Sequence, residues 1–142
     1  MAITTAMPTS FKVELLVATH NFTNATGDVF KIALYTSTAT LGAATTAYST
    51  TNEITGTGYT AGGNTLTTTT AVASTTAGVV TFSTTSWTTA SFTANGAMIY
   101  NSSKANRACA IIAFGGDQTV AAATFTINFP TADASNAVIR LT

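Results

Sequence analysis

Threonine is the most frequent residue of this chain, and charged residues make up only 7% of its 142 positions. A β-branched threonine loses little conformational freedom on a pleated surface, where its hydroxyl group can still reach water or a neighbouring strand. Hydrophobic residues account for 46% of the chain, so it has enough apolar surface to bury and is unlike a disordered linker. These proportions predict a folded protein made mainly of β-strands.

Short apolar segments between turn-forming residues give the same prediction in more detail. TFTINFP alternates, so that Phe125, Ile127 and Phe129 share one face of a strand. Residues 10–22 fit a helix with Ser10 as its N-cap, or almost as well a strand, and their Glu, Leu and Lys favour the helix. The predicted strands cover residues 29–36, about 59–67, 78–84, 87–94, 96–102, 108–114, 124–130 and 137–142.

Seven or eight short strands at this spacing predict a mainly β protein, an antiparallel, jelly-roll-like β-sandwich with one short N-terminal helix. We expect residues 10–142 to form a single domain, preceded by an N-terminal arm over residues 1–9. A chain of this size buries about two thirds of its surface, so its core needs no metal or disulfide. The predicted core consists of the inward faces of residues 29–36, 96–101, 108–114 and 124–129.

Charge and hydropathy exclude several classes of partner. The net charge is zero, and five Lys and Arg residues spread along the chain cannot form the basic stripe that binds nucleic acid. No stretch approaches the roughly 18 apolar residues of a membrane-spanning helix. The first ten residues, MAITTAMPTS, have neither a basic region nor a long apolar run, so we expect no secretory signal.

The few residues with catalytic or metal-binding chemistry do not form a recognisable site. His20 is the only histidine and Cys109 the only cysteine, so one chain cannot supply the three or four ligands of a His/Cys zinc site. Cys109 lies in the apolar run ACAIIAF, which predicts a core residue, and His20 is expected to be solvated or to cap the helix end. There is no G-x-S-x-G motif to present a nucleophilic serine.

The acidic residues do not predict a catalytic site either. A glycosidase needs two neighbouring carboxylates, but Asp28, Asp117 and Asp133 all lie in turn-like segments, where Asp usually bonds to its own backbone. The five acids are Glu14, Asp28, Glu53, Asp117 and Asp133. We therefore predict no catalytic residue, no cofactor-binding residue, no metal ligand and no enzymatic activity.

Two further patterns have a structural and a functional interpretation. GTGYTA, residues 56–61, matches G-x-G-x-x-A, but a dinucleotide site needs a helix directly after it, and the Thr- and Gly-rich continuation has no helical period. We expect these glycines to serve turns. Trp87, Tyr59 and Tyr100 could line a sugar-binding site, although aromatic residues in short strands are more often core residues.

Four segments taken together resemble a family of small phage virion proteins, of the head decoration or tail-fibre-like kind. The resemblance extends from about Ser10 to Leu141, and its most specific parts are residues 52–63, the turn MIYNSSKANRA and the element FGGD. It implies a β-sandwich-like virion component without an enzymatic role, and it transfers no catalytic residue. The segments are SFKVELLVATHNFT, FKIALYTSTATLGAATTAYSTTNEITGTGYTAGG, FTANGAMIYNSSKANRACAIIAFGGDQTV and FTINFPTADASNAVIRL.

The resemblance and the composition together give three functional hypotheses. The first is a capsid decoration or cement protein on the outside of a phage head, in contact with the major capsid protein or other virion proteins. The second is a neck, tail or fibre component, and the third, from another class, is a carbohydrate-binding module. Because near-zero net charge removes repulsion between copies, we expect a homo-oligomer, with residues 37–58 and the arm at its contacts. A trimer is favoured over a dimer, since the resemblance implies the threefold sites of a head lattice.

Overall fold

The computed structural model describes residues 2–142, which form one short helix and seven strands. The strands make two antiparallel sheets, so the predicted fold class, mainly β with one short N-terminal helix, is confirmed, and the arrangement is consistent with a β-sandwich. The elements are α1 (Thr9–Leu16), β1 (Phe30–Tyr35), β2 (Asn64–Thr65), β3 (Val72–Ser74), β4 (Ala77–Val80), β5 (Thr85–Asn101), β6 (Arg107–Ile127) and β7 (Ile139–Leu141).

The larger sheet has the strand order β2-β1-β5-β6, and the smaller sheet has the order β3-β4-β7. In the larger sheet β1 runs antiparallel to the end of β5, with Phe30 opposite Asn101 and Tyr35 opposite Gly96. β5 and β6 follow each other along the chain and form a long hairpin around the turn at residues 102–106. This turn therefore lies at the same end of the sheet as the start of β1.

The length of this hairpin corrects the strand predictions. Residues 87–94 and 96–102 are not two strands but parts of β5, and 108–114 and 124–130 are largely parts of β6. Ala94 pairs with Gln118 and Gly96 with Ala113, so β6 carries four residues, 114–117, opposite the single residue 95. The FGGD element is thus a large bulge, which bends a paired strand, and not the strand end that the two glycines indicated.

The helix is shorter than predicted and begins differently. It follows Pro8, which occupies the N-cap position without a side-chain bond, so the prediction of Ser10 as N-cap is wrong and Ser10 lies inside the first turn. It ends at Leu16, and Ala18 adopts a left-handed backbone conformation with φ of 57°. A helix cannot continue through such a residue, and residues 17–28 are irregular.

The core lies on both faces of the larger sheet. Ile32 and Leu34 of β1 belong to the larger cluster, whereas the alternating Ala33 and Tyr35 belong to a smaller cluster on the other face. Phe125 is half-buried against the larger cluster between exposed neighbours, so the predicted alternation there has the right direction. The predicted core segments 29–36, 96–101 and 108–114 contain buried core residues, whereas 124–129 is only partly buried against the core. The strands at the centre of the sheet have two inward faces rather than one.

The N-terminal segment is held against the outer edge of β6. Ala6 and Ile111 exchange two backbone hydrogen bonds, of 3.0 and 2.9 Å, and Ile3 forms a parallel bridge with Leu41. The Thr5 hydroxyl accepts a hydrogen bond from the backbone N–H of Ala113. Residues 2–8 of the predicted arm are therefore paired with the domain, and Met1 lies outside the described residues.

Candidate functional site

Polar and charged side chains form a connected cluster around His20, at the end of the larger sheet that carries the β5–β6 turn. Three parts of the chain contribute to it: helix α1, the irregular segment between α1 and β1, and the hairpin turn with its flanking strand ends. We call it the His20 cluster, and its members are Glu14, His20, Asp28, Asn101, Lys104 and Arg107.

His20 is bonded through both ring nitrogens. Its Nε2 lies 2.7 Å from Oε2 of Glu14, and its Nδ1 lies 2.9 Å from Nδ2 of Asn101. The side chain is 0% exposed, and the ring packs 4.9 Å from that of Phe11 between centroids. The prediction of a solvated or capping histidine is therefore wrong, because the chain folds back after α1 and carries His20 inward.

The hydrogen-bond partners of Asn101 fix the tautomer of His20. The carboxylate of Asp28 can only accept, so the Asn101 Nδ2 group donates to it at 2.8 Å, while the Asn101 Oδ1 atom accepts from the backbone N–H of Ser103 at 3.0 Å. The second amide hydrogen then points to His20 Nδ1, which must be the unprotonated nitrogen. His20 is consequently neutral, and its Nε2–H group donates to Glu14.

Both carboxylates of the cluster are paired with cations. Arg107 Nη1 donates to Glu14 Oε1 at 2.6 Å, and Lys104 Nζ lies 3.7 Å from Asp28 Oδ1. Burial by itself would raise the pKa of Glu14, but hydrogen bonds from His20 and Arg107 outweigh burial and hold that pKa below its ordinary value. For Asp28 burial is likewise outweighed, first by the hydrogen bond from Asn101, and its pKa is lowered too.

The arrangement does not support nucleophilic catalysis. Both ring nitrogens of His20 are occupied, neither by a hydroxyl or thiol group, and the ring is closed off from solvent. A general base must reach the proton that it abstracts, which His20 cannot do in this state. Among residues 2–142 no group of three or more His, Cys, Asp or Glu side chains could hold a metal ion.

A second polar group surrounds Glu53 and fastens the loops that follow β1. Its carboxylate accepts hydrogen bonds from the Tyr48 hydroxyl at 2.7 Å, the Tyr59 hydroxyl at 2.6 Å and the Gly62 N–H at 2.7 Å. The Tyr100 hydroxyl donates to the Gly62 carbonyl at 2.8 Å. Burial, followed by the charge of Glu53, raises the pKa of Tyr100 to about 12, so its hydroxyl remains a donor. The role of this group is structural.

The other acids lie apart from these clusters. Asp133 accepts from the backbone N–H groups of Ser135 and Asn136, at 2.8 and 2.7 Å, as the turn prediction requires. The same prediction is wrong for Asp117, which lies in β6 and accepts from the Asn95 side chain. Asp28 accepts from the backbone N–H of Asn21 at 2.9 Å, as the turn prediction requires, and also from the distant Asn101 side chain.

The remaining sequence candidates have structural roles in the described part of the chain. Burial raises the pKa of the Cys109 thiol above its usual range, which agrees with the prediction of a core residue. No helix follows GTGYTA, and Gly58 adopts φ of 79° in a turn, so the prediction that its glycines serve turns is confirmed.

The aromatic residues considered for sugar binding belong to the core. Trp87 is 3% exposed and Tyr100 is 2% exposed. Tyr59 is half-buried, with its ring 6.1 Å from that of Trp87 and its hydroxyl group bonded to Glu53. None of the three presents a flat face to solvent on which a sugar ring could stack, and their prediction as core residues is confirmed.

An apolar groove of about 610 Å³ opens to solvent between α1 and the smaller sheet. Leu15 and Phe22 line one side, and residues of β3, β4 and β7 line the other. We call it the α1 groove. Sequence patterning gave no sign of it, because β3 lies in a Thr- and Ala-rich segment without alternation.

Comparisons with known proteins do not assign the chain to a family. No protein-family model matches the chain, and neither a curated protein nor a solved structure does. None of the helices within residues 2–142 is long and apolar enough to cross a membrane.

Proposed function

We propose that this chain is a non-enzymatic structural protein of a bacteriophage particle, and specifically a decoration or cement protein on the outside of the head. In that role it associates with its own copies and with the major capsid protein. The observation that carries the proposal is the α1 groove, whose lining residues are mainly apolar and carry no charge, together with an open edge of strand β6. The family resemblance supplies the phage context.

Most of the exposed large hydrophobic side chains lie on elements that border the α1 groove. Six are exposed in residues 2–142, and five of them belong to α1, its C-cap, β3 or β7; two of the five, Val72 and Leu141, line the groove itself. Leu16 is 87% exposed, which is unusual for a leucine. Concentrated apolar patches on a soluble protein mark contact sites for other proteins. The five residues are Val13, Leu16, Val17, Val72 and Leu141.

Open strand edges provide a second means of association. β6 is the last strand of the larger sheet, and within the described residues its part beyond Ala113 pairs only with β5. Between residues 108 and 127 the sequence has neither Lys nor Pro, and Asp117 is its only charge. Such residues normally protect an edge from pairing with another chain. Apart from the bulge at residues 114–117, this long edge lacks such protection, which favours a protein that works in an assembly.

The same observations fit a neck, tail or fibre component, which is the alternative within the same class. Location in the particle and copy number separate the two. A head decoration protein would be present in tens to hundreds of copies on the capsid lattice, whereas a neck or tail protein would be present in few copies at one vertex. For the isolated chain we propose a homo-oligomer, with a trimer ahead of a dimer.

Quantitative mass spectrometry of purified particles, combined with a cryo-electron microscopy map, tests the proposal. It is supported if the chain is found in many copies on the outer face of the head. Absence of the chain from purified particles would refute the virion role, and a location at the neck or tail would refute the decoration role.

Substitutions at the surface test the observation behind the proposal. Val72→Gln and Leu141→Gln remove exposed apolar side chains that line the α1 groove, and Val29→Gln is the matched control, because Val29 is also exposed (47%) but does not line that groove. We expect the first two to weaken oligomerisation or binding to heads that lack the protein, as measured by light scattering and co-sedimentation. Equal effects of all three would show that the α1 groove has no special role.

A further inference from the structure

We propose that His20 is a pH-sensitive switch: protonation of its ring breaks the contact between residues 20–28 and the β5–β6 turn. The proposal concerns the fold of the chain itself and holds whichever assembly the chain belongs to. It follows from the hydrogen bonds of Asn101, which satisfy a neutral imidazole and cannot satisfy a protonated one.

In the neutral state every polar group at this point has a partner. The two amide hydrogens of Asn101 go to His20 Nδ1 and to Asp28 Oδ2, over 2.9 and 2.8 Å, and the amide oxygen accepts from the Ser103 N–H at 3.0 Å. Asn101 is 0% exposed, so no water can replace a partner that is lost. This complete set of bonds holds residues 20–28 on the turn.

A proton on His20 Nδ1 creates a conflict that the amide cannot resolve. In the present orientation the new N–H group faces the N–H of Asn101, so one donor meets another. If the amide rotates by half a turn, its oxygen can accept from His20, but the oxygen then faces the Asp28 carboxylate and its NH₂ group faces the Ser103 N–H. The present orientation of the amide therefore places one donor against another donor. The rotated orientation creates two unfavourable contacts, one between two acceptors and one between two donors. The groups must therefore move apart.

The surrounding charges do not prevent protonation of the ring. Glu14 lies 2.7 Å from His20 Nε2 and attracts a positive ring, as does Asp28, whereas the Lys104 and Arg107 side chains are 43% and 48% exposed and are screened by water. The obstacle is therefore the donor–donor contact at Nδ1, in a site where the His20 side chain has no exposure to water. The titratable and charged groups around His20 are Glu14 and Asp28, their partners Arg107 and Lys104, and the Cys109 thiol, which lies close to both carboxylates.

The contacts that open are local. Asn101 joins the end of β5 to Asp28, and the Ser103 Oγ atom accepts a hydrogen bond from the Val29 N–H at 2.8 Å. The Ser102 N–H donates to the Val29 carbonyl at 2.9 Å. We expect residues 20–28 and the turn at 102–106 to loosen together in acid while the two sheets remain folded.

Nuclear magnetic resonance of the full chain from pH 8 to pH 4.5 tests this directly. The His20 ring protons give its titration midpoint. We expect the Ser103 backbone amide and the Asn101 side-chain amide to shift with the same midpoint, and Ser103 to lose hydrogen-exchange protection below it. His20→Gln should abolish these shifts, since it removes the titrating ring.

The proposal is overturned if the His20 ring titrates while Asn101 and Ser103 do not respond. It is equally overturned if the ring stays neutral until the whole domain unfolds.

Discussion

Replacing Phe30 by Ala should destabilise the domain strongly, and more than the same change at Phe125. Phe30 is 0% exposed at the start of β1, with its ring stacked 4.4 Å from that of Phe22 and 5.8 Å from that of Phe82. Removing a fully buried Phe side chain costs about 3–5 kcal/mol, and a stacked aromatic pair adds about 0.5–1.5 kcal/mol, which places Phe30→Ala in the upper part of that range. Phe125 is only half-buried, so Phe125→Ala should cost about half as much.

Urea unfolding at a fixed chain concentration measures both changes. Trp87 is the only tryptophan and is buried, so its fluorescence reports the loss of the core, and far-UV circular dichroism provides an independent signal. Small domains are stable by only about 5–15 kcal/mol, so a loss of this size moves the unfolding midpoint clearly. A cost under about 1 kcal/mol for Phe30→Ala, or equal costs for both variants, would refute the burial on which the argument rests.

Three further predictions rest on single positions. Gly63→Ala should prevent stable folding, because its φ is +68° and a Cβ atom there would lie 1.8 Å from the Ile32 carbonyl oxygen. Gly78→Ala is the control: a Cβ atom there meets open space, so the melting temperature should change little. The fold lowers the pKa values of Glu14 and Asp28 from their ordinary values of 4.5 and 3.8, so the ionised carboxylates stabilise the native state at higher pH. The free energy of unfolding should therefore fall as the pH drops below these ordinary values, which an acid titration followed by circular dichroism measures. A thiol reagent should label the chain only after unfolding, and rapid labelling of the native state would contradict the burial of its single cysteine.

The sequence predicts the presence of strands better than their extent. Alternation and β-branched residues locate β1 and both halves of the long hairpin, because these signals report which residues face the core. Gly115 and Gly116 indicate a strand end, yet they lie in a bulge, and only the pairing of Ala94 with Gln118 across the hairpin decides between the two. Such pairing depends on the partner strand and leaves no local signal.

The His20 cluster could not be predicted from the sequence either, because its members come together from segments that are distant in the chain. His20 and Glu14 are six positions apart on a segment predicted as one helix, a spacing that does not place two side chains on the same helix face. They meet only because α1 ends early, at Leu16, and the chain turns back at Ala18. Asn101 is 81 positions from His20, so their contact follows from the position of the hairpin turn and not from any motif.

The positions of the acids make the exterior even less charged than the composition indicates. Each of the five carboxylates is engaged by groups of the same chain: two in the His20 cluster, one by two tyrosines and a backbone N–H, one by an asparagine and one by its own turn. The two carboxylates of the His20 cluster also neutralise Arg107 and Lys104, which removes two of the five cations from the surface charge. Within residues 2–142, three carboxylates and three cations remain without an ion-pair partner, so the exterior carries few charges and no net charge that would repel another copy or a coat lattice. Association through the α1 groove and the open edge of β6 can therefore rest on apolar contact and backbone pairing, which ionic strength screens only weakly.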